Sequence, residues 1–322
     1  MRQFDIIGTI NTKTIDEKFL DDLYQSGVTV FRINGAHIEP DDIPKISGLI
    51  RKQLSDKVKI QVDLEGSKIR TKNICKTIFL QKGKKVDLKS NNFNQPKILS
   101  ILNEGDTILS SDGQIELVVD KISDEEVTLL SLCTGVLQNN KGIHIKNKSL
   151  NKLPVFTEKD TLFIKYIKKN QIDYAGISFV RSPEQVLEAL TAFSNSRVKP
   201  IIKLETKEAT EKESLRKILE LHDTFSIDRG DLISEVGMTQ FPSIFNYTLE
   251  QCLSHKKRIF VATQIFASMV DHNIPYISEI IEFHRLYQLD ITGIQLSEEI
   301  SIGKNPLEIL KVINNIIMDG EH

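Results

Sequence analysis

At 322 residues the chain is long enough for one large barrel or two domains of ordinary size. Its 40% hydrophobic and 27% charged residues are ordinary for a soluble globular protein, and a formal net charge of −2 leaves no field of one sign that would point to nucleic acid or a membrane surface. Three distant cysteines, Cys75, Cys133 and Cys252, carry no C-x-x-C spacing, which excludes a sequence signal for a disulfide framework or a thiolate metal site, and no apolar run approaches the ~18 residues of a membrane span.

Met1 leads through Arg2-Gln3 into residues 4–10, a strand-like run that leaves no room for a signal peptide, so a cytoplasmic setting is predicted. Residues 29–32 and 58–63 also read as buried parallel strands, and amphipathic helical patterns at 15–26 and 41–54 separate the three. Between Gly66 and Lys152 the pattern changes. Short alternating strands at 85–88, 107–109, 115–119 and 127–132 are punctuated by Asn91-Asn92, Asn103-Glu104-Gly105-Asp106 and Asp112-Gly113, the vocabulary of a small antiparallel β domain. A helix at 158–169 restarts the first rhythm, followed by strands at 174–178, 200–203, 224–227, 259–262 and 292–296 and a last helix at 306–318. Three strands before the insertion and five after it predict an α/β fold, a TIM (β/α)8 barrel with an antiparallel β domain inserted after strand three. The expected division is 1–65 and 153–322 for the barrel and 66–152 for a lid at its catalytic face.

Chemistry concentrates near the middle. Ile201-Ile202-Lys203-Leu204-Glu205 is an apolar strand ending in a Lys and a Glu two apart, hence on one face, and Arg229-Gly230-Asp231 follows a second strand, read as ending in Gly-Asp. Two carboxylates at neighbouring strand ends, Glu205 and Asp231, suit Mg²⁺ or Mn²⁺, with most of the coordination left to substrate and water. Lys203 adds a point charge for an enolate or phosphoryl oxygen.

These motifs sit in a longer series that resembles the pyruvate kinase family. The series runs through Phe31-Arg32-Ile33-Asn34, Asp63-Leu64-Glu65-Gly66-Ser67-Lys68-Ile69-Arg70, Ser111-Asp112-Gly113-Gln114-Ile115 and Asn140-Lys141-Gly142. It continues through Pro154, Thr157-Glu158-Lys159-Asp160, Ile177-Ser178-Phe179-Val180-Arg181, Ala262-Thr263-Gln264 and Leu296-Ser297-Glu298-Glu299. The resemblance implies that Glu205 and Asp231 hold Mg²⁺ and that Lys203 faces the phosphoryl group in flight. It implies that Thr263 assists proton delivery to the enol carbon, that Arg32 and Arg70 hold phosphate oxygens, that the amides around Gly230 and Asp231, at a helix start, bind the substrate carboxylate, and that Thr263, Ser297 and Glu299 also line the substrate.

The departures from the family carry expectations of their own. In many members potassium is bound by Asn and Ser after strand two and by Asp and Thr at the exit of strand three; here Asn34 and Asp63 remain, while Ala36 and Leu64 have no side-chain oxygen. Lys68 stands where those members have Glu, so its ammonium is expected to replace the cation and to remove any potassium requirement. On the nucleotide side His37 and Lys141 are kept. Asn11-Thr12, Ile145-Lys146-Asn147 and Glu298 add bulk or charge where the family has small or rigid residues, and they predict weak ADP binding. The chain ends at Glu321-His322 without the family's C-terminal domain, and Asn273-Ile274-Pro275-Tyr276-Ile277 lacks the basic pair of the usual subunit contact, so a monomer or dimer is expected.

The implied activity is a Mg²⁺-dependent phosphotransferase interconverting phosphoenolpyruvate and pyruvate with ADP/ATP or another phosphoryl acceptor. A Mg²⁺-dependent lyase or aldolase acting on a 2-keto acid uses the same enolate chemistry, and a non-catalytic relative is the third alternative.

Overall fold

The computed structural model describes residues 4–11, 15–110, 114–146, 148–151 and 153–320. Expectations resting on Met1-Arg2-Gln3, Thr12, Ser111-Asp112-Gly113, Asn147, Lys152 and Glu321-His322 lie outside these residues.

Eight parallel strands close into a barrel. They are β1 (Asp5–Thr9), β2 (Val30–Asn34), β3 (Lys59–Asp63), β4 (Tyr174–Ile177), β5 (Lys199–Lys203), β6 (Thr224–Asp228), β7 (Arg258–Ala262) and β8 (Gly293–Leu296). Each pairs with its neighbours in sequence, and β1 against β8 closes the ring at Ile6↔Ile294 and Gly8↔Leu296. Burial on both faces explains the near-continuous apolar runs.

The helix that follows the inserted unit starts at a strong cap. The Thr157 hydroxyl accepts from the Asp160 amide while the Asp160 carboxylate accepts from the Thr157 amide, a reciprocal pair that opens the helix Glu158–Lys169. Asp160 also accepts from the amides of Glu65 and Gly66 at 2.9 and 3.1 Å and so fixes the turn that leaves β3. Gly66 is required in that turn: it has φ 63°, and a Cβ there would lie 2.3 Å from the Ser178 carbonyl.

The chain divides into two compact units, one of residues 1–66, 154–230 and 242–322, the other of 67–153 together with 231–241. The second unit has a five-stranded antiparallel sheet in the order Ile143–Ile145, Thr107–Ser110, Ile115–Ile122, Glu126–Ser131, Lys85–Lys89, and a pair formed by Ile78–Leu80 and Gly135–Leu137. Its own core includes Leu88, Phe93, Ile98, Leu117, Val127 and Leu137. Segment 231–241 is tied to the sheet by His144 Nδ1, 3.1 Å from Glu235 Oε1.

Two sequence expectations need correction. Strand β6 stops at Asp228, and Arg229-Gly230-Asp231 forms the first turn of the helix Arg229–Val236. The second unit also contains three strands beyond the four expected. Among the described residues no helix is long and apolar enough to cross a membrane.

Candidate active site

Side chains two apart on a strand share a face, so the barrel interior is built in layers. Toward the N-terminal ends of the strands Ile7, Val30, Ile201 and Phe260 pack into an apolar layer, with Tyr174 against it. Two residues further along, the same faces carry Thr9, Arg32, Gly176, Lys203 and Ala262, joined by Asp63 of β3, Ser226 and Asp228 of β6 and Gln295 of β8. The interior therefore changes from apolar to charged within one strand period, at the end where barrel enzymes carry their chemistry.

Buried charges must pair. Arg32 Nε lies 2.8 Å from Asp63 Oδ2, and its NH1 donates to Thr9 Oγ1 at 2.8 Å. Gln61 Nε2 donates to the other Asp63 oxygen at 2.6 Å. Space for this carboxylate comes from Gly176, where a Cβ would sit 2.1 Å from Asp63 Oδ1.

Lys203 is the hub. Its Nζ is 2.7 Å from Asp228 Oδ2, 3.3 Å from Asp63 Oδ2 and 3.5 Å from Glu205 Oε2, and it donates to Ser178 Oγ at 3.3 Å. Burial by itself would lower the lysine's pKa, but Asp228, then Glu205 and Asp63, hold it far above the usual range. Burial likewise pushes the Asp63 carboxyl up, and the charges of Arg32 and Lys203 overcome that to bring it to about 2. Asp228 is itself oriented by the Ser226 hydroxyl, which donates to Oδ1 at 2.5 Å. Glu205 is fully buried, and its Oε1 accepts from the Phe179 amide at 2.8 Å. Two cations thus face three carboxylates, one negative charge in excess.

Backbone strain gathers at the same strand ends. Phe179, Thr263 and Gln264 have φ of 57°, 68° and 53°. Such conformations cost on the order of 1–3 kcal/mol each and mark functional sites. Thr263, as a β-branched residue, is the most unfavourable of the three. Its hydroxyl accepts from the Gly230 amide at 2.8 Å and donates to the Ala262 carbonyl at 2.6 Å, while Arg229 clamps its carbonyl with Nε and NH2 at 3.1 and 2.7 Å.

The remaining expected residues divide by what they touch. Asp231 forms a direct ion pair with Lys68 through Oδ1. Arg70 donates to the Asn140 carbonyl at 3.3 Å and bridges Gly142 by backbone pairing. Asn34 Oδ1 accepts from the Ala36 amide at 3.1 Å, capping a short turn that carries the exposed His37. Glu299 is buried and accepts from the amides of Ser297 and Ile265 at 2.8 and 3.2 Å, which binds the loops after β7 and β8 together. The Lys141 backbone pairs with Thr71, Leu64 is buried, and Glu298 is exposed.

Asp228, Ser178, Gln61 and Thr9 were not anticipated. A signal existed for Asp228: with Thr224 and Ser226 it puts three polar side chains on one face of β6, opposite Phe225 and Ile227. Among the described residues no group of three or more His, Cys, Asp or Glu could hold a metal ion. A cation held by Glu205 or Asp231 would take hard oxygen donors from the protein and complete its shell with substrate and water.

The family model described as "Pyruvate kinase, barrel domain" matches residues 1–310. Among similar proteins, the pyruvate kinase of Thermotoga maritima is 30% identical, with 100% of this chain and 72% of the relative covered. The pyruvate kinase of Borreliella burgdorferi is 29% identical over 97% of this chain and 67% of its own length. That of Staphylococcus epidermidis is 28% identical over 100% of this chain and 57% of its own.

Proposed function

The chain belongs to the pyruvate kinase family through its barrel domain, and from that premise we propose a Mg²⁺-dependent phosphotransferase that interconverts phosphoenolpyruvate and pyruvate with ADP/ATP or another phosphoryl acceptor. Fold alone does not fix a reaction. The observation that carries the reading is Lys203, a buried ammonium at the end of β5 with carboxylates around it from β3, β6 and the exit of its own strand. Phosphoryl transfer asks for fixed positive charge and positioning more than for a covalent nucleophile. Lys203 gives that charge to an oxygen that becomes more negative in the transition state, whether on the phosphoryl group or on the enolate. Thr263, held by Arg229 and the Gly230 amide, would relay a proton through its hydroxyl. Arg32 and Arg70 would steady phosphate oxygens, and Ser297 and Glu299 would shape the substrate's surroundings. His37 and Lys141 would serve a nucleotide whose binding is weak.

Glu205 and Asp231 would hold Mg²⁺ or Mn²⁺, and the bound ion supplies Lewis-acid charge to the substrate oxygens. Replacing Glu205 by Gln is expected to weaken Mn²⁺ binding on the order of tenfold or more, because one formal charge leaves a site of low dielectric. Titration followed by the electron paramagnetic resonance of free Mn²⁺ reads this directly, with circular dichroism to verify the fold. Unchanged Mn²⁺ affinity in the Gln protein removes Glu205 from the metal site.

Lys68 supplies a tethered ammonium beside Asp231, which supports catalysis without added potassium. Rates in sodium and in potassium at one ionic strength are expected to agree within about twofold, screening being held constant. Lys68→Glu should lower the rate, since it places two carboxylates together. Strong activation of the unaltered protein by potassium overturns this assignment. The reaction itself is tested by following pyruvate formed from phosphoenolpyruvate with Mg²⁺ and a panel of acceptors that includes ADP. Absence of turnover with every acceptor, beside cleavage of a 4-hydroxy-2-keto acid, transfers the site to the lyase reading.

A further inference from the structure

The barrel has a second polar end. Where its strands begin, at the end away from Lys203, a cavity of about 480 Å³ is lined by Asp5, Val30, Lys57, Lys59, Tyr174 and Arg258 among others. That volume falls in the range of small-molecule sites. The floor is apolar, because Val30 belongs to the layer made with Ile7, Ile201 and Phe260, and the Tyr174 ring packs against it. The walls carry three cations and one carboxylate. Asp5 is already answered: Oδ1 accepts from the Thr29 hydroxyl at 3.1 Å, and Oδ2 lies 3.3 Å from Arg258 NH2. Lys59 stands 3.2 Å from Asp173, which also holds Arg51 at 2.5 Å, so two cations divide one anion. Lys57 rests over the Tyr24 ring at 5.9 Å and has no carboxylate partner among the described residues. The Tyr174 hydroxyl makes no hydrogen bond to a described residue. Like charges gathered beyond their counter-charge repel one another and oppose the compact state, although the start of a barrel's strands ordinarily serves stability. An anion from solution relieves that repulsion.

We propose that this cavity binds a small phosphorylated metabolite, with the phosphate among Lys57, Lys59 and Arg258 and the organic part against Val30 and the Tyr174 ring. Two ammonium groups from β3 and its approach and a guanidinium from β7 come at the ligand from different walls, and a tetrahedral group with several acceptor oxygens can meet all of them. A planar carboxylate meets fewer. Arg258 gives NH2 to Asp5 and keeps Nε and NH1 for the ligand. Its guanidinium carbon lies 5.8 Å from the centre of the Phe260 ring, which limits where the fork can point. Tyr174 adds a hydroxyl donor at the edge of the floor. The site stands apart from the proposed reaction, because its residues occupy the opposite ends of the strands from Lys203, and neither assignment depends on the other.

The test is lysine acetylation of the full chain, read residue by residue by mass spectrometry, with and without glycerol 2-phosphate as the probe. Lys57 and Lys59 are exposed and react when the cavity is empty. With the probe raised to about 20 mM, well above a millimolar Kd, both should acetylate about threefold or more slowly. Lys165, an exposed lysine of the helix Glu158–Lys169 that does not line the cavity, should keep its rate at the same ionic strength. Because protection is read at the lysines themselves, phosphate bound near Lys203 cannot imitate it. Arg258→Gln should raise the probe concentration for half protection about tenfold, and Tyr174→Phe, which keeps the ring, about threefold. Undiminished acetylation of Lys57 and Lys59 in the unaltered protein overturns the site, as does equal slowing at Lys165. Half protection unmoved in both variants, each folded by circular dichroism, overturns the placement of the phosphate. Citrate protecting as well as the probe at equal ionic strength overturns the choice of phosphate.

Discussion

Lys203→Met is expected to lose on the order of 10²–10³ in kcat, the scale for removing one preorganised electrostatic donor aimed at a developing charge. The loss should fall on kcat more than on KM, because the ammonium faces an oxygen whose charge grows toward the transition state. Methionine keeps the length of the aliphatic stem and removes the ammonium together with its hydrogen bond to Ser178. It leaves Asp228, Glu205 and Asp63 facing one another without their shared cation, so the expected secondary sign is a lower stability, readable by far-UV circular dichroism. Activity within a few-fold of the unaltered protein, on the substrate that the acceptor panel identifies, would contradict the role given to Lys203.

The second large effect is on stability. Asp63→Asn should destabilise the barrel by about 3–5 kcal/mol, the cost of leaving buried charge without its partner. Asp63 answers both Arg32 and Lys203, accepts from Gln61, and is 2% exposed, so no water compensates. A urea midpoint followed by circular dichroism measures it, as the chain contains no tryptophan to report by fluorescence. The pH dependence has a definite sign. The folded-state pKa, about 2, lies below the ordinary value of 3.8, so the stabilising contribution is fully present above the latter and is lost as pH falls through the former. From pH 8 to pH 5 the gap between the two proteins should stay constant, and below pH 3.8 it should narrow. A constant gap at all pH, or a midpoint equal to that of the unaltered protein, contradicts this account.

How much was legible in the sequence depended on the range of the interactions involved. The eight barrel strands were readable because burial on both faces writes a continuous apolar run, and their order followed from the spacing of the helices. The strands Ile78–Leu80, Gly135–Leu137 and Ile143–Ile145 have only three residues each, too few to show alternation. The helix start near Gly230 was legible, but a glycine in its first turn blurs where β6 ends; the Gly230 amide is met by Thr263, thirty-three positions away. Lys203 and Glu205 announced themselves by a local motif. Asp228 showed only as one of three alternating polar residues in β6, and its meaning lies in β5 and β6 pairing with Lys203 opposite Ser226. The grouping of 231–241 with the inserted unit is likewise a product of tertiary contacts such as His144 with Glu235.

The change from apolar to charged layers inside the barrel also bears on how the chain finds its fold. A strand displaced by one residue turns every side chain to the opposite face. In β5 such a slip would drive Lys203 out among the apolar helix contacts and bring Ile202 against Asp63 and Asp228. An apolar strand can slide past its neighbours at modest cost, but a strand carrying an ammonium that needs three carboxylates cannot. The charges that serve the chemistry therefore penalise misregistered barrels, and a variant that neutralises the cluster for stability would trade away folding fidelity together with catalysis.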